Sequence, residues 1–135
     1  VSVPERPPPI SGVLETVLYC TSQNEDATRK FYDEVLGFRS IGRSSYRAGP
    51  DVFLLFNSDK SSVQDEPPPH GASGAAHVCF LTTPERYEEW KTHLADSGVE
   101  LGQEISWDES GRRSFYFDDP AGNLLEIADG DLWPP

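Results

Sequence analysis

Hydrophobic positions along the chain follow two different periods. Val13–Cys20 and Ala76–Leu81 are short segments rich in β-branched and aromatic residues and read as strands. A helix-start signal follows each one. Ser22 with Glu25 three residues on has the capping-box pattern, and Thr83 before Pro84 supplies an N-cap and a proline for the first helical position. Apolar residues then recur at three- and four-residue steps, Ala27, Phe31 and Val35 in one segment and Tyr87, Trp90 and Leu94 in the other. This predicts a stripe packed on a sheet. Gly37 and Gly98 stand where left-handed C-caps would end these helices. Beyond them, turns lead into short strands: Gly49-Pro50-Asp51 into Val52–Phe56, Asp108–Gly111 into Arg113–Phe117, and Asp118–Gly122 into Asn123–Ile127.

Ser22 and Thr83 are 61 residues apart, Gly37 and Gly98 are also 61 apart, and Glu15 and His77 are 62 apart. The landmarks keep one offset, so the chain writes a β-α-β-β-β unit twice. The predicted fold class is α+β, two βαβββ modules with open, barrel-like sheets. We expect a flexible, proline-rich arm at 1–12 and a single domain at 13–135. Within it, module 1 covers about 13–57, a Pro/Gly/Ser-rich linker covers 58–74, and module 2 covers about 75–130. Each sheet carries a helix on one face only. Pairing the two remaining concave faces, within one chain or between two, would enclose a cavity suited to a small molecule.

Composition narrows the classes of partner. With 135 residues, 36% hydrophobic and 25% charged, the chain has the make-up of one globular domain. Its net charge of −12 repels phosphate backbones and anionic lipid, which excludes nucleic acid and membrane surfaces as partners. The longest uninterrupted apolar run, Val52–Phe56, falls far short of the roughly 20 residues of a membrane span. No secretory signal is visible, and Cys20 and Cys79 are too few for a disulfide scaffold, so a cytoplasmic location is expected.

Strand alternation sorts the candidate chemistry. Leu14, Thr16 and Leu18 fall toward the helix, leaving Glu15, Val17 and Tyr19 toward the cavity. By the same parity His77, Cys79 and Leu81 face inward opposite Val78 and Phe80, and Leu124 and Glu126 face inward opposite Leu125 and Ile127. Two carboxylates and one imidazole in a half-apolar cavity call for a cation among them. The set Glu15, His77 and Glu126 suits one divalent ion, Zn, Ni, Mn or Fe, acting as a Lewis acid with positions open to substrate. Ser114 and Tyr116 share the inward face, and His70 in the proline-rich linker either folds over the cavity mouth as a lid or acid/base group or, the reading its loop position favours, is an exposed linker histidine.

The two halves resemble the vicinal oxygen chelate superfamily, which includes glyoxalase I, fosfomycin-modifying thiol transferases, extradiol dioxygenases and bleomycin-resistance binding proteins. The resemblance runs from Gly12 to about Trp133. Its most specific pieces are Glu25–Gly37, with Phe31-Tyr32 and Val35-Leu36-Gly37-Phe38, and the segment Phe115–Glu126, with Asp119-Pro120-Ala121-Gly122-Asn123 before the final strand. It implies that Glu15 occupies the first-strand ligand position, usually His or Gln, that His77 is the second-module ligand, and that Glu126 is the last-strand ligand. The implied function is that of a glyoxalase-like, metal-dependent enzyme of lyase or isomerase type acting on a small substrate with vicinal oxygens. In that reading Glu126 and Glu15 are catalytic as well as ligands, and Tyr116, Ser114, Tyr19, Cys79 and His70 contact substrate. The alternative is a metal-free drug- or metabolite-binding protein of the bleomycin-resistance type. Extradiol dioxygenase and fosfomycin thiol transferase rank below both, because Glu15 replaces a histidine and Val17 stands where the fosfomycin enzymes have Thr. The glutamate that glyoxalase I enzymes carry on the last strand of the first module has no counterpart in Val52–Phe56. The resemblance also implies a homodimer.

Overall fold

Alternation in the first predicted strand is realised in β1 (Glu15–Cys20), where Leu18 and Cys20 are buried while Val17 and Tyr19 on the other side are half-buried. The structure, a computed structural model, describes residues 6–135. Of the predicted N-terminal arm, residues 1–5 lie outside the described residues, and 6–12 run exposed without helix or strand.

After β1 comes α1 (Glu25–Lys30), which continues as a π-helical stretch over Phe31–Val35. The wider turn, in which the Leu36 N–H donates to Phe31 O at 3.0 Å, sets Phe31 and Tyr32 side by side in the core. Two expectations fail here. Ala27 is exposed and Thr28 takes the buried position. The Ser22–Glu25 capping box does not form, since Asn24 is the N-cap residue. Asn57 Nδ2 instead donates to both Ser22 Oγ and Glu25 Oε1, at 3.1 and 2.9 Å. A distant amide has taken the acceptors that the local motif would have used.

Antiparallel strands β2 (Arg39–Gly42), β3 (Ser45–Ala48) and β4 (Asp51–Asn57) complete module 1. β4 returns parallel to β1, giving the order β1-β4-β3-β2. The linker is not wholly irregular. It opens with one helical turn, α2 (Ser58–Ser61), capped by Asn57 Oδ1, which accepts from the Asp59 N–H at 2.9 Å. Module 2 repeats the plan with β5 (His77–Leu81), α3 (Pro84–Asp96), β6 (Glu104–Trp107), β7 (Arg112–Asp118) and β8 (Leu124–Ala128), in the order β5-β8-β7-β6. α3 starts at the predicted Thr83-Pro84 pair and buries Tyr87 and Leu94, with Trp90 packed alongside. Gly37 and Gly98 have φ of +69° and +83°, the left-handed geometry expected after each helix.

The modules join through their helix sides. Phe80 of β5 meets Phe38 and Phe53 of module 1, with ring centroids 5.1 and 6.0 Å apart. Tyr32 Oη donates to Asp119 Oδ2 at 2.6 Å, and Asn123 Nδ2 donates to Tyr19 O at 2.9 Å. A cavity of about 470 Å³ remains at this joint, with Phe38, Phe53, Phe80 and Trp90 in its wall. Because the helix sides are used here, the concave faces are not closed on each other within one chain: Glu15 and His77 are exposed, and Leu81 is 73% exposed. Among the described residues, no helix is long and apolar enough to cross a membrane.

Candidate functional site

The register of module 2 assembles the acidic end of the site. β5 and β8 pair His77 with Leu124 and Cys79 with Glu126, and β7 sets Tyr116 beside Glu126. Glu126 is only 4% exposed, whereas the His77 side chain is 46% exposed. His77 Nδ1 lies 2.8 Å from Leu124 O, and its Nε2 lies 3.2 Å from Glu126 Oε1. A carbonyl oxygen only accepts, so the proton on this imidazole sits at Nδ1. The Nε2 lone pair then faces a carboxylate oxygen, and that arrangement calls for a proton or a metal ion between them. Among the described residues, Glu126 Oε2 is buried with no hydrogen-bond partner. An orphaned buried carboxylate oxygen beside an imidazole oriented by a backbone carbonyl is a donor set that fits a divalent cation.

Three neighbours complete this face. The Tyr116 ring stacks on His77 with centroids 6.0 Å apart, and burial together with the Glu126 charge holds its hydroxyl above the ordinary phenol range. Desolvation against the sheet and the same carboxylate push the Cys79 thiol up to about 12. At neutral pH it is therefore a thiol and not a nucleophilic thiolate. Ser114 is fully buried and accepts a hydrogen bond from Trp107 Nε1 at 2.9 Å, so a ligand on this face meets Trp107 first.

Module 1 presents a different surface. Glu15, Val17 and Tyr19 of β1 share a face with Val52, Leu54 and Phe56 of β4. Leu54 pairs with Val17 as Glu126 pairs with Cys79, so the position equivalent to the last-strand carboxylate is apolar in this module. His70 does return from the linker to this face. Its Nδ1 is 2.7 Å from Tyr19 Oη, and its ring stands edge-on to Phe56 with centroids 4.8 Å apart.

The predicted ligands therefore fall into two groups. His77 and Glu126 are in contact, while Glu15 stands on the other module, and no cluster of three His, Cys, Asp or Glu able to hold a metal forms among the described residues. Tyr116, Cys79 and Ser114 gather around the first group, and Tyr19 and His70 lie on the face of Glu15. Sequence reasoning missed Trp107, Leu54 and Phe56 as parts of these faces. Alternation within β6 and β4 was the available signal, since Trp107 pairs with Arg112 two residues before Ser114.

Known proteins share this arrangement of elements. The structure of a lactoylglutathione lyase from Agrobacterium tumefaciens superposes with a TM-score of 0.84 at 32% identity, covering 95% of this chain and 100% of that one. The metallothiol transferase FosB of Staphylococcus saprophyticus is 23% identical over 125 residues, which is 89% of this chain and 80% of that protein. A mutant of the fosfomycin resistance protein FosX from Listeria monocytogenes, solved with Mn(II) and 1S,2S-dihydroxypropylphosphonic acid, matches in fold. Its TM-score is 0.66 at 22% identity, covering 91% of this chain and 93% of that one. With residues 21–127 matching the Glyoxalase/Bleomycin resistance protein/Dioxygenase superfamily and both βαβββ modules in place, the chain belongs to that superfamily.

Proposed function

We propose that the protein is a metal-dependent enzyme of the glyoxalase type, a lyase or isomerase acting on a small substrate with vicinal oxygens. The observation that carries this reading is the buried Glu126 carboxylate, whose Oε2 has no partner among the described residues and whose Oε1 faces His77 Nε2 at 3.2 Å. His77 and Glu126 would hold a divalent ion, Zn, Ni, Mn or Fe, and Glu15 of a second copy would complete the set, since Glu15 joins no such cluster among the described residues of one chain. Bound there, the ion supplies Lewis-acid polarisation of the substrate's adjacent oxygens. Glu126 and Glu15 are the carboxylates able to take a proton from carbon at this site. Tyr116, stacked on His77, aims a protonated hydroxyl at the same face, and Leu124 O fixes the imidazole. The likeness to the lactoylglutathione lyase supports a lyase, and Leu54 stands at the module 1 position equivalent to Glu126.

A homodimer follows from the same reading. Leu81 is 73% exposed and Leu124 37% exposed on the concave face of module 2, and a second copy would cover them. The metal-free binding alternative draws on the apolar floor of Val17, Leu54 and Phe56, and one experiment separates the two. Calorimetric titration of the chelator-treated protein with Mn, Ni, Zn and Fe(II) salts should show saturable binding for the wild type. Glu126→Ala should lower the affinity at least tenfold, the usual range for losing a ligand or its support. Absence of binding for every ion in the wild type removes the enzyme reading and leaves the binding protein.

A further inference from the structure

The concave face of module 1 has a second polar end that the metal reading does not use. It is laid out in rows: Glu15 pairs with Val52, Val17 with Leu54, and Tyr19 with Phe56. A carboxylate opens the face and an apolar floor follows. Tyr19 closes it about 13 Å along β1 from Glu15, at roughly 3.3 Å per residue. His70 lies over this closing row and is built into it. Its backbone N–H donates to Ser61 O at 3.0 Å, and Ser61 Oγ donates to His70 O at 2.7 Å. Ser61 is itself buried in α2, the turn that Asn57 caps. The imidazole is thus held by the folded linker against Tyr19 and Phe56.

Where the Tyr19 hydroxyl donates into Nδ1, the ring proton sits on Nε2. That nitrogen makes no hydrogen bond among the described residues. In that tautomer the pair offers one N–H donor beside the apolar row, with no Lys or Arg bonded to it among the described residues, in a chain of net charge −12. A carboxylate arriving there would meet the chain's field without a countercharge, whereas a neutral carbonyl oxygen would not. We infer that Tyr19 donates to His70 Nδ1 and that His70, through Nε2–H, binds an amide-type carbonyl at the tail of the substrate. The substrate class is then a molecule with an oxygen-chelating head, an apolar body and a carbonyl group about 13 Å along β1 from the Glu15 end. This deepens the proposed function and rests on it for the head of the molecule, but the tail site stands on module 1 and the linker alone.

The test uses N-hexylacetamide titrated into the full chain without added metal, with the His70 ring carbon–proton resonance followed by NMR. That resonance is assigned by its loss in His70→Phe, a variant that keeps a ring against Phe56. The wild type should show a saturable shift. Affinity, read for all three proteins from saturation transfer to the N-hexylacetamide resonances, should fall about tenfold in His70→Phe, the loss expected for one well-placed hydrogen bond, and about threefold in Tyr19→Phe, where orientation alone is lost. No saturable shift in the wild type overturns the proposal. Undiminished affinity in His70→Phe does so too, as does tighter binding of octanoate than of the amide. Acetohydroxamate binding to Mn(II)-loaded wild type reports separately on the head site. If it fails while the amide shift persists, the metal reading falls and the tail site remains.

Discussion

Asp119 shows how much one side chain holds in place. It is 4% exposed, its Oδ1 accepts the Ala121 and Asn123 N–H groups, and its Oδ2 accepts Tyr32 Oη and Asn123 Nδ2. Asn123 in turn reaches Tyr19 O across the joint, so a turn residue of module 2 fixes the strand that carries Glu15. Removing the carboxylate leaves several buried donors unmatched. Asp119→Ala should cost about 3 kcal/mol in urea unfolding, against about 1.5 kcal/mol for Tyr32→Phe, which deletes one donor and strands none. At this scale the sequence was informative about identity and silent about partners. Alternation put His77, Cys79 and Glu126 on one face, and β5 and β8 pair accordingly. It did not show that Leu124 O would fix the His77 tautomer or that Trp107 would cover Ser114, because both depend on strands paired across the sheet.

Elements form where their local signals agree with the tertiary partners they meet. α3 starts at Thr83-Pro84 and both helices end at the predicted glycines, because proline and left-handed glycine act on the backbone directly. α1 departs from its local signal, since Asn57 engages Ser22 and Glu25 from 35 and 32 residues away. That contact has a pH signature. The Asn57 amide first, then Arg29, hold the Glu25 carboxyl below the ordinary glutamate range. A lowered folded-state value means that the unfolded state binds the proton more readily. The contribution is therefore complete above the unfolded carboxylate value of about 4.3 and is lost as pH falls through the folded one. Thermal melts between pH 6 and pH 3 should show a smaller acid-induced drop in Tm for Glu25→Gln than for the wild type. Equal drops in the two proteins would detach α1 from this network.

At the scale of the whole molecule, the joint between modules decides what the surface offers. Phe38, Phe53 and Phe80 consume the helix sides, leaving the two candidate faces open in a single chain. A second copy is the partner that would bring a Glu15 to His77 and Glu126. Leu81→Glu should then convert a dimer to a monomer in light scattering at micromolar concentration and remove metal binding in the same sample, because a charge would be buried without a counter-ion. A wild-type mass of one chain would remove the shared site.

The fold was legible from the chain alone because it is repeated: hydrophobic period, turn glycines and a constant offset all report short-range backbone preference, and the second copy confirms the first. The candidate residues were legible for a related reason, since strand parity assigns faces without knowledge of packing. What only the tertiary structure decided is which sides of the modules face each other. That choice is made by aromatic contacts such as Phe38–Phe80 and by the Tyr32–Asp119 bond, between residues 42 and 87 positions apart, and no periodicity in either partner encodes it.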